Sequence, residues 1–389
     1  MTTARPTIFL SAAEASGDHH AANLIYALRE KLPNARFVGA TGPEMEAAGC
    51  ESIINLTKKA SMVLGPIANL SYYRKAVKKI QTAIRDIRPD IHVPVDSPAL
   101  NWHLAKASKA AGIPVLYYVA PQVWAWAPWR IKKVRRLTDH IACLLPFEEQ
   151  YFRSRGVNAT YVGHPLFDGR TIADPNTLPD LVDAWTTGKF RVALLPGSRP
   201  GEIKAHALPF AKITEDIRKR WPDASFTFTA VHETAAKQIR QAVGERCDIP
   251  IVVGKTPEVL AESHFALATS GTVTLNVAHA GVPMVIAYKT SLLSYLAFPL
   301  LKHWLFRTKS LSLVNILAGR KIVPELMPWN GKINKLRDAV IQAMGDLGYL
   351  TSTRKKLLEL TKPLALPTPH MASQNTADLI IKVINESQK

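Results

Sequence analysis

ATSGTVTLNVAHAGVPMVIAY, residues 268–288, reads as one complete unit of an open parallel sheet. A strand ends at Ala268, and the chain turns through Ser270, Gly271 and Thr272 into a helix. VPMVIAYK then follows as the next strand. Working back from this unit, a series of short apolar runs alternates with helical patterns: FRVALLPGSR, a helix around IKAHALPFAKITEDIRKRW, SFTFTAV, IPIVVGK and FALATSGT. The amino-terminal half repeats the alternation. TIFLSA, RFVGAT, DIHVPVD, PVLYYVAP, DHIACLL and ATYVGHP read as strands. HHAANLIYALREKL, with Ala22, Leu24, Ile25 and Leu28 on one side, and NWHLAKASKAAG read as helices between them. Strands without in–out alternation, separated by amphipathic helices, predict doubly wound parallel sheets covered on both faces. The fold class is therefore α/β, with two Rossmann-like doubly wound domains.

The stretch DGRTIADPNTLPDLVDAWTTGK, rich in turn formers, reads as the connection between them. The tail SQNTADLIIKVIN reads as a helix capped by Ser373 or Asn375, and the proline-rich TKPLALPTPH lets it cross back to the first domain. The expected domains are residues 1–168 with a returning helix at 370–389, and residues 185–365. Two such domains facing each other place a ligand at the carboxyl ends of their strands, which suits a nucleotide-linked substrate on one and an acceptor on the other.

The chain of 389 residues carries 49 Lys and Arg against 31 Asp and Glu, a formal charge of +18. A surface this basic attracts polyanions: nucleic acid, anionic membrane or phosphorylated ligands. The three cysteines, Cys50, Cys143 and Cys247, lie far apart with no CxxC pair, so a disulfide scaffold is excluded and a reducing cytoplasm is expected. No HExxH motif or Asp-x-Asp pair calls for a metal. No apolar run reaches the roughly 18 residues of a membrane span. The start, MTTARPTIFLSAAEASGD, has too short an apolar core for a signal peptide.

Several motifs carry candidate chemistry. Ser270, Gly271 and Thr272 form an anion site at a helix start, or an ordinary cap. In LLPGSRPGEI, Gly197, Ser198 and Arg199 leave a buried strand. A planar, permanently charged guanidinium there suits phosphate oxygens; a surface pair with Glu202 is the alternative. In VPVDSPALN, Asp96 ends a buried strand and is a candidate general base toward a sugar hydroxyl, or a helix cap. AEASGDHH places Glu14, Ser16, Gly17 and Asp18 in a tight loop after the first strand, without the GxGxxG fingerprint. APQVWAWAPWRIKKVRR sets Trp124, Trp126 and Trp129 before five basic residues. That pattern fits single-stranded nucleic acid, a membrane interface, or a helix with a buried and a solvated face. The apolar segment around Leu292–Leu301 and the basic amphipathic helix Ser71–Arg88 turn the charge toward an anionic membrane surface, with core helices the competing reading.

These residues together resemble the lipid-A-disaccharide synthase family, bacterial glycosyltransferases of the GT-B type. The likeness covers nearly the whole chain: AEASGD, ARFVGATGPEMEAAGCE, VDSPALN, YYVAPQVWAW, LPFEEQYF, VGHPL, LLPGSR, SGTVTLNVAHAGVPMVIAY and LVNILAGRKIVPE, in order. The resemblance implies a hexosyltransferase that joins UDP-2,3-diacylglucosamine to 2,3-diacylglucosamine 1-phosphate and releases UDP. It implies inversion at the anomeric carbon, no metal and no cofactor, and work at the cytoplasmic face of the inner membrane as a peripheral protein. It assigns Asp96 as general base, with Glu14, Ser16, Gly17 and Asp18 in the loop facing it. It assigns Gly197, Ser198, Arg199, Ser270, Gly271 and Thr272 to the diphosphate, and Asn276, Asn315, Gly319, Arg320 and Glu325 to the same nucleotide-sugar cleft.

The chain departs from the family at four places. Ala13 stands where the family has Gly, Asn276 where it has Glu, SPALN where it has APDFN, and Pro328 where it has Gln. Those departures motivate a second expectation: a non-catalytic or altered-specificity lipid or nucleotide-sugar-binding paralogue. A UDP-sugar epimerase on the same scaffold is a related alternative. Specific nucleic-acid binding is not expected, and an oligomer is left open.

Overall fold

The structure is a computed structural model describing residues 5–56, 66–125, 127–168, 174–244, 247–290, 295, 308, 310–365 and 371–387. It divides into two compact units, Met1–Gly169 with Pro367–Lys389, and Arg170–Leu366.

The first unit holds strands β1 (Thr7–Ser11), β2 (Arg36–Thr41), β3 (Glu51–Asn55), β4 (Ile91–Pro94), β5 (Leu116–Tyr118), β6 (His140–Cys143) and β7 (Ala159–Tyr161). Four pair in the order β3-β2-β1-β4 and three in the order β5-β6-β7, and every pair is parallel. Bridges from His92 to Val115 and from Val95 to Tyr118 join β4 to β5. One layer results, in which sheet growth reverses direction between β1 and β4.

β1 shows why these runs lack alternation. Ile8 and Leu10 pack with Leu24 and Leu28 of helix Ala15–Lys31 and Ile380 and Ile384 of helix Ala372–Ser387. Phe9 points the other way, against Ile80 and Ile84 of helix Pro66–Ile87 and Leu100 and Leu104 of helix Pro98–Ala110. Side chains alternate faces, both faces are covered, and the strand is apolar throughout.

The carboxy-terminal helix belongs to this unit. Its first turn is held by Asp168, which accepts from the Ala372 amide at 3.0 and 3.1 Å, and Asn375 donates to the Val162 carbonyl at 2.9 Å. Lys31 pairs with Asp378 at 2.6 Å on the outer surface.

The second unit holds β8 (Arg191–Leu195), β9 (Ser225–Ala230), β10 (Ile251–Val253), β11 (Phe265–Thr269), β12 (Met284–Lys289) and β13 (Glu325–Trp329), all parallel, in the order β10-β9-β8-β11-β12-β13. Here the reversal falls between β8 and β11. Ile203, Phe210, Ile213 and Ile217 of helix Pro200–Arg220 cover Val192 and Leu194 of β8.

Two segments expected to favour a membrane surface spend their apolar residues on the core. Helix Pro66–Ile87 buries Ala76, Ile80 and Ile84 at four-residue spacing and exposes Arg74, Lys75, Lys78 and Lys79. Trp124 is buried, and Val134 and Leu137 turn inward from helix Ile131–Leu137. Trp129 stays 44% exposed beside the basic residues. Trp126, the Leu292–Leu301 segment and the connection at 169–173 lie outside the described residues. Among the described residues no helix is long and apolar enough to cross a membrane.

Candidate functional site

In open parallel sheets, ligands gather at the carboxyl ends of the strands where the strand order reverses. In the first unit that place lies between β1 and β4, and Asp96 stands there, just past Pro94 and Val95. Asp96 has φ +51° and Ser97 has φ +43°. Left-handed backbone at two consecutive non-glycine residues costs roughly 1–3 kcal/mol each and persists only where surrounding bonds enforce it.

Those bonds are visible. The Asp96 carbonyl accepts from Tyr117 Oη at 2.6 Å and from Asn101 Nδ2 at 2.7 Å, and the Asp96 amide donates to the Tyr118 carbonyl at 3.1 Å. The backbone is thus clamped while the carboxyl group stays half-buried at the sheet edge.

Beneath the turn lies a buried polar chain. Ser11 Oγ donates to Asn101 Oδ1 at 2.7 Å and meets His92 Nε2 at 2.9 Å, and His92 Nδ1 meets Ser108 Oγ at 2.8 Å. With the Ser11 proton given to Asn101, Nε2 carries the imidazole proton and Nδ1 accepts from Ser108. Full burial pushes His92 down to about 3, so the ring is neutral.

The start of helix Ala15–Lys31, which the sequence predicted as a loop through Asp18, comes against this turn. A Cβ at Gly17 would lie 3.3 Å from the Val95 carbonyl oxygen and 3.9 Å from Asp96 Cβ, so glycine lets the two strand ends approach closely. Glu14, the N-cap of that helix, and Ser16, in its first turn, are exposed. Asp18, on the same helix start, is buried. Its carboxylate accepts from the amides of Gly42, Glu44 and Met45, each at 3.0 Å, and is 2% exposed. It holds the start of helix Pro43–Ala47.

The second unit brings its candidates together by register. Leu195 of β8 lies opposite Ala268 of β11, so Gly197-Ser198-Arg199 and Ser270-Gly271-Thr272 leave adjacent strand ends at the reversal. Gly197 has φ +109° and Gly271 has φ +149°, conformations that side chains rarely adopt. Glu202 organises the first turn: Oε2 accepts from the Ser198 and Arg199 amides at 3.2 and 3.3 Å, and Oε1 meets Arg199 Nη1 at 3.3 Å. The Arg199 side chain remains 68% exposed, so its pair with Glu202 is solvent-screened and weak. Asn276 sits half-buried in helix Val273–His279, which follows Thr272.

Asn315 and Glu325, also expected at the nucleotide sugar, join a network of protein hydrogen bonds. Asn315 is buried, donates to the Val323 carbonyl and to Glu325 Oε2, and accepts from the Ile322 and Val323 amides. Glu325 accepts from the Leu311 and Ser312 amides and the Ser312 hydroxyl. This network fastens the 310–325 loop and leaves Arg320, exposed after Gly319 at φ +64°, as the member of that motif open to a ligand.

Sequence reasoning passed over Asn101, Tyr117 and Glu148. Asn101 lies within the quoted VDSPALN, but its partners are remote in the chain. Glu148 is fully buried after β6, accepting from Trp124 Nε1 at 2.8 Å and from the Leu144 and Leu145 amides at 3.2 and 3.0 Å. Burial raises its carboxyl group to about 7 against those three donors. It ties the tryptophan loop to the same edge of the sheet. Its signal was the Pro-x-Glu spacing at a helix start, which recurs at Glu202.

A family model described as lipid-A-disaccharide synthetase matches residues 8–362. The chain belongs to that family. A lipid-A-disaccharide synthase from Idiomarina loihiensis is 33% identical over 379 residues, covering 96% of this chain and 97% of the relative. One from Escherichia coli O157:H7 is 33% identical over 388 residues, covering 97% and 100%. Among solved structures, a Staphylococcus aureus MnaA–UDP co-structure aligns with a TM-score of 0.60 at 12% identity over 98% of this chain and 97% of that one. Acinetobacter baumannii MurG aligns with a TM-score of 0.54 at 13% identity over 97% and 99%. At such identities the likeness is one of fold, two Rossmann-like halves of the GT-B type. Family membership makes the chain an enzyme, a hexosyltransferase of lipid A biosynthesis.

Proposed function

We propose that the chain transfers a 2,3-diacylglucosaminyl group from its UDP derivative to a hydroxyl of 2,3-diacylglucosamine 1-phosphate, giving the lipid A disaccharide 1-phosphate and UDP. The observation that carries the reading is Asp96: a half-buried carboxyl group on a strained, hydrogen-bonded turn at the strand reversal of the first unit. The acceptor oxygen attacks the anomeric carbon from the face opposite the diphosphate, and the carbon–oxygen bond to the diphosphate breaks with its electron pair. Asp96 takes the hydroxyl proton. Configuration inverts because attack and departure lie on opposite faces.

The leaving diphosphate gathers charge. Arg199, the Gly197-Ser198 turn and Ser270-Gly271-Thr272 are its proposed site, with Asn276 and Arg320 toward the rest of the nucleotide sugar and Glu14 and Ser16 toward the acceptor. An exposed guanidinium in this role makes a metal ion unnecessary. Peripheral attachment to the cytoplasmic face of the inner membrane suits acylated substrates and a basic chain, with Trp129 and the basic residues after it as described contact candidates.

The test is purified protein with both acylated sugars and EDTA, products read by mass spectrometry. Disaccharide phosphate and UDP should form together, and Asp96→Ala should lower turnover about a thousandfold. Full activity in that variant sinks the assignment of the base. The second reading, a paralogue with altered or lost turnover, is favoured by Asn276, which brings no charge where the family carries a carboxylate. Tight UDP-sugar binding with no transfer to any acylated acceptor is its signature.

A further inference from the structure

A cavity of about 460 Å³ opens at the amino end of the first unit's sheet, and Arg5, Arg29, Arg36 and Glu51 all line it. Arg36 and Glu51 are the first residues of β2 and β3, and Arg5 precedes β1 by two residues. The Arg36 and Glu51 side chains are 40% and 56% exposed, so the cavity is open to solvent. Asp96 lies past the opposite ends of these strands. At about 3.3 Å per residue, the five residues of β1 alone put roughly 17 Å between the two places.

Each guanidinium is held in place by the protein. Arg29, in the last turn of helix Ala15–Lys31, donates from Nε to the Ala48 carbonyl at 3.1 Å and from Nη2 to the Gly49 carbonyl at 3.0 Å, and it lies 5.2 Å from the Phe37 ring centre. A Cβ on Gly49, whose φ is +85°, would collide with that guanidinium. Arg36 forks onto Glu51 through Nε at 3.0 Å and Nη2 at 2.7 Å, and Arg5 donates from Nε to the Asn34 carbonyl at 3.1 Å. Nη1 of Arg29, Nη1 of Arg36 and both Nη atoms of Arg5 stand outside these bonds. The hydrogen bond from Arg36, with the charges of Arg36 and Arg5, holds the Glu51 carboxyl group below its usual range, so it is ionised at neutral pH. Three guanidinium charges against one carboxylate leave a net +2 around a single cavity. An anion relieves that repulsion, and planar forks fixed in orientation suit phosphate oxygens.

We propose that this cavity binds a doubly charged phosphate group, free in solution or on a lipid headgroup, as an anion site separate from the transfer chemistry. It does not depend on the role given to Asp96.

The test titrates the full chain with inorganic phosphate by calorimetry. Wild type is compared with Arg29→Gln, Arg5→Gln, Arg199→Ala and a control that removes two exposed charges elsewhere, Arg74→Gln with Lys78→Gln. Arg29→Gln and Arg5→Gln should each weaken one phosphate site about tenfold or more, the worth of a charge-assisted hydrogen bond, while the control affinity and the transfer turnover of both variants stay within about twofold of wild type. Arg5→Gln, which gives up a single bond to the Asn34 carbonyl, keeps the test decisive if Arg29→Gln folds poorly. Equal weakening in the control means that phosphate only screens a basic surface, and overturns the proposal. Loss in Arg199→Ala alone places the phosphate in the second unit and overturns it too, as does no binding by wild type. Vesicles then separate the two sources. Weaker capture of Arg29→Gln than of wild type by phosphatidylcholine carrying phosphatidic acid, with equal binding to phosphatidylcholine alone, assigns a lipid headgroup. Equal capture on both vesicles, with the phosphate site lost in the variant, assigns a free phosphorylated compound.

Discussion

Asp96 with Ser97 in the first unit, and Gly197 with Gly271 in the second, occupy the same topological position and use it in opposite ways. The first unit bends its chain through non-glycine residues. All five such residues with positive φ among those described (Arg88, Asp96, Ser97, Val119 and Ala127) belong to it. In the second unit every positive φ recorded is at glycine. Strain at a residue with a side chain fixes a functional group in space, here a carboxyl group. Glycine lets the backbone turn without strain beside an exposed guanidinium. On the proposed reading, one sheet edge holds a proton acceptor still and the other lets an anion come close.

The glutamates at positions 148 and 202 sharpen the contrast. Each follows a strand, sits two residues after a proline, and accepts from the amides three and four positions back. Glu148 is sealed in the core, and Glu202, with its side chain 13% exposed, lies beside the exposed Arg199. The same local geometry thus gives a protonatable latch in one unit and, in the other, an organiser of the turn proposed to hold the diphosphate.

The largest break in this comparison is the loss of the Asp96 carboxyl group, tested above. Arg199 comes next. Arg199→Ala should lower kcat/KM about a hundredfold, and Arg199→Lys should recover only part of it, because an ammonium lacks the planar fork. Steady-state kinetics with varied donor reads this.

Gly197→Ala should destabilise the protein by about 2 kcal/mol in denaturant unfolding, since φ is positive and the new Cβ would lie 2.6 Å from Glu202 Cβ. Glu148 tests the latch. Its folded value of about 7 lies above the usual 4.5, so the folded state holds its proton more tightly. Its contribution is present below about pH 4.5 and is lost as pH rises through about 7, at most about 3 kcal/mol in all. Glu148→Gln should melt lower at acid pH, because an amide cannot accept from all three donors, and should lack that fall between pH 5 and 8. Parallel melting curves for the two proteins would remove the latch. Smallest is Arg88→Gly, at the end of helix Pro66–Ile87, where φ is +47°. It should gain up to about 1 kcal/mol with transfer activity unchanged, which separates idle strain from the strain at Asp96.

The alternation of apolar runs and amphipathic helices was sufficient to name an α/β protein with two parallel sheets, and ordered motifs were sufficient to name the family. Both are carried by contiguous residues: a strand covered on two faces must be apolar throughout, and a helix on a sheet must be so on one side. The protein partners of Asp18, Asn315 and Glu325 were not legible in the sequence, because polar residues in a motif look alike whether they meet a substrate or a backbone amide. Only the fold supplied those partners, by bringing the amides of Gly42, Glu44 and Met45 to Asp18 and those of Leu311 and Ser312 to Glu325. The same holds for the support of Asp96, where Ser11, His92 and Tyr117 converge from three strands. Sequence by itself determined which residue types were available and how the chain would layer. Tertiary structure decided which polar atoms were already satisfied, because hydrogen bonds between distant segments depend on strand order, and strand order is settled by how the whole sheet packs.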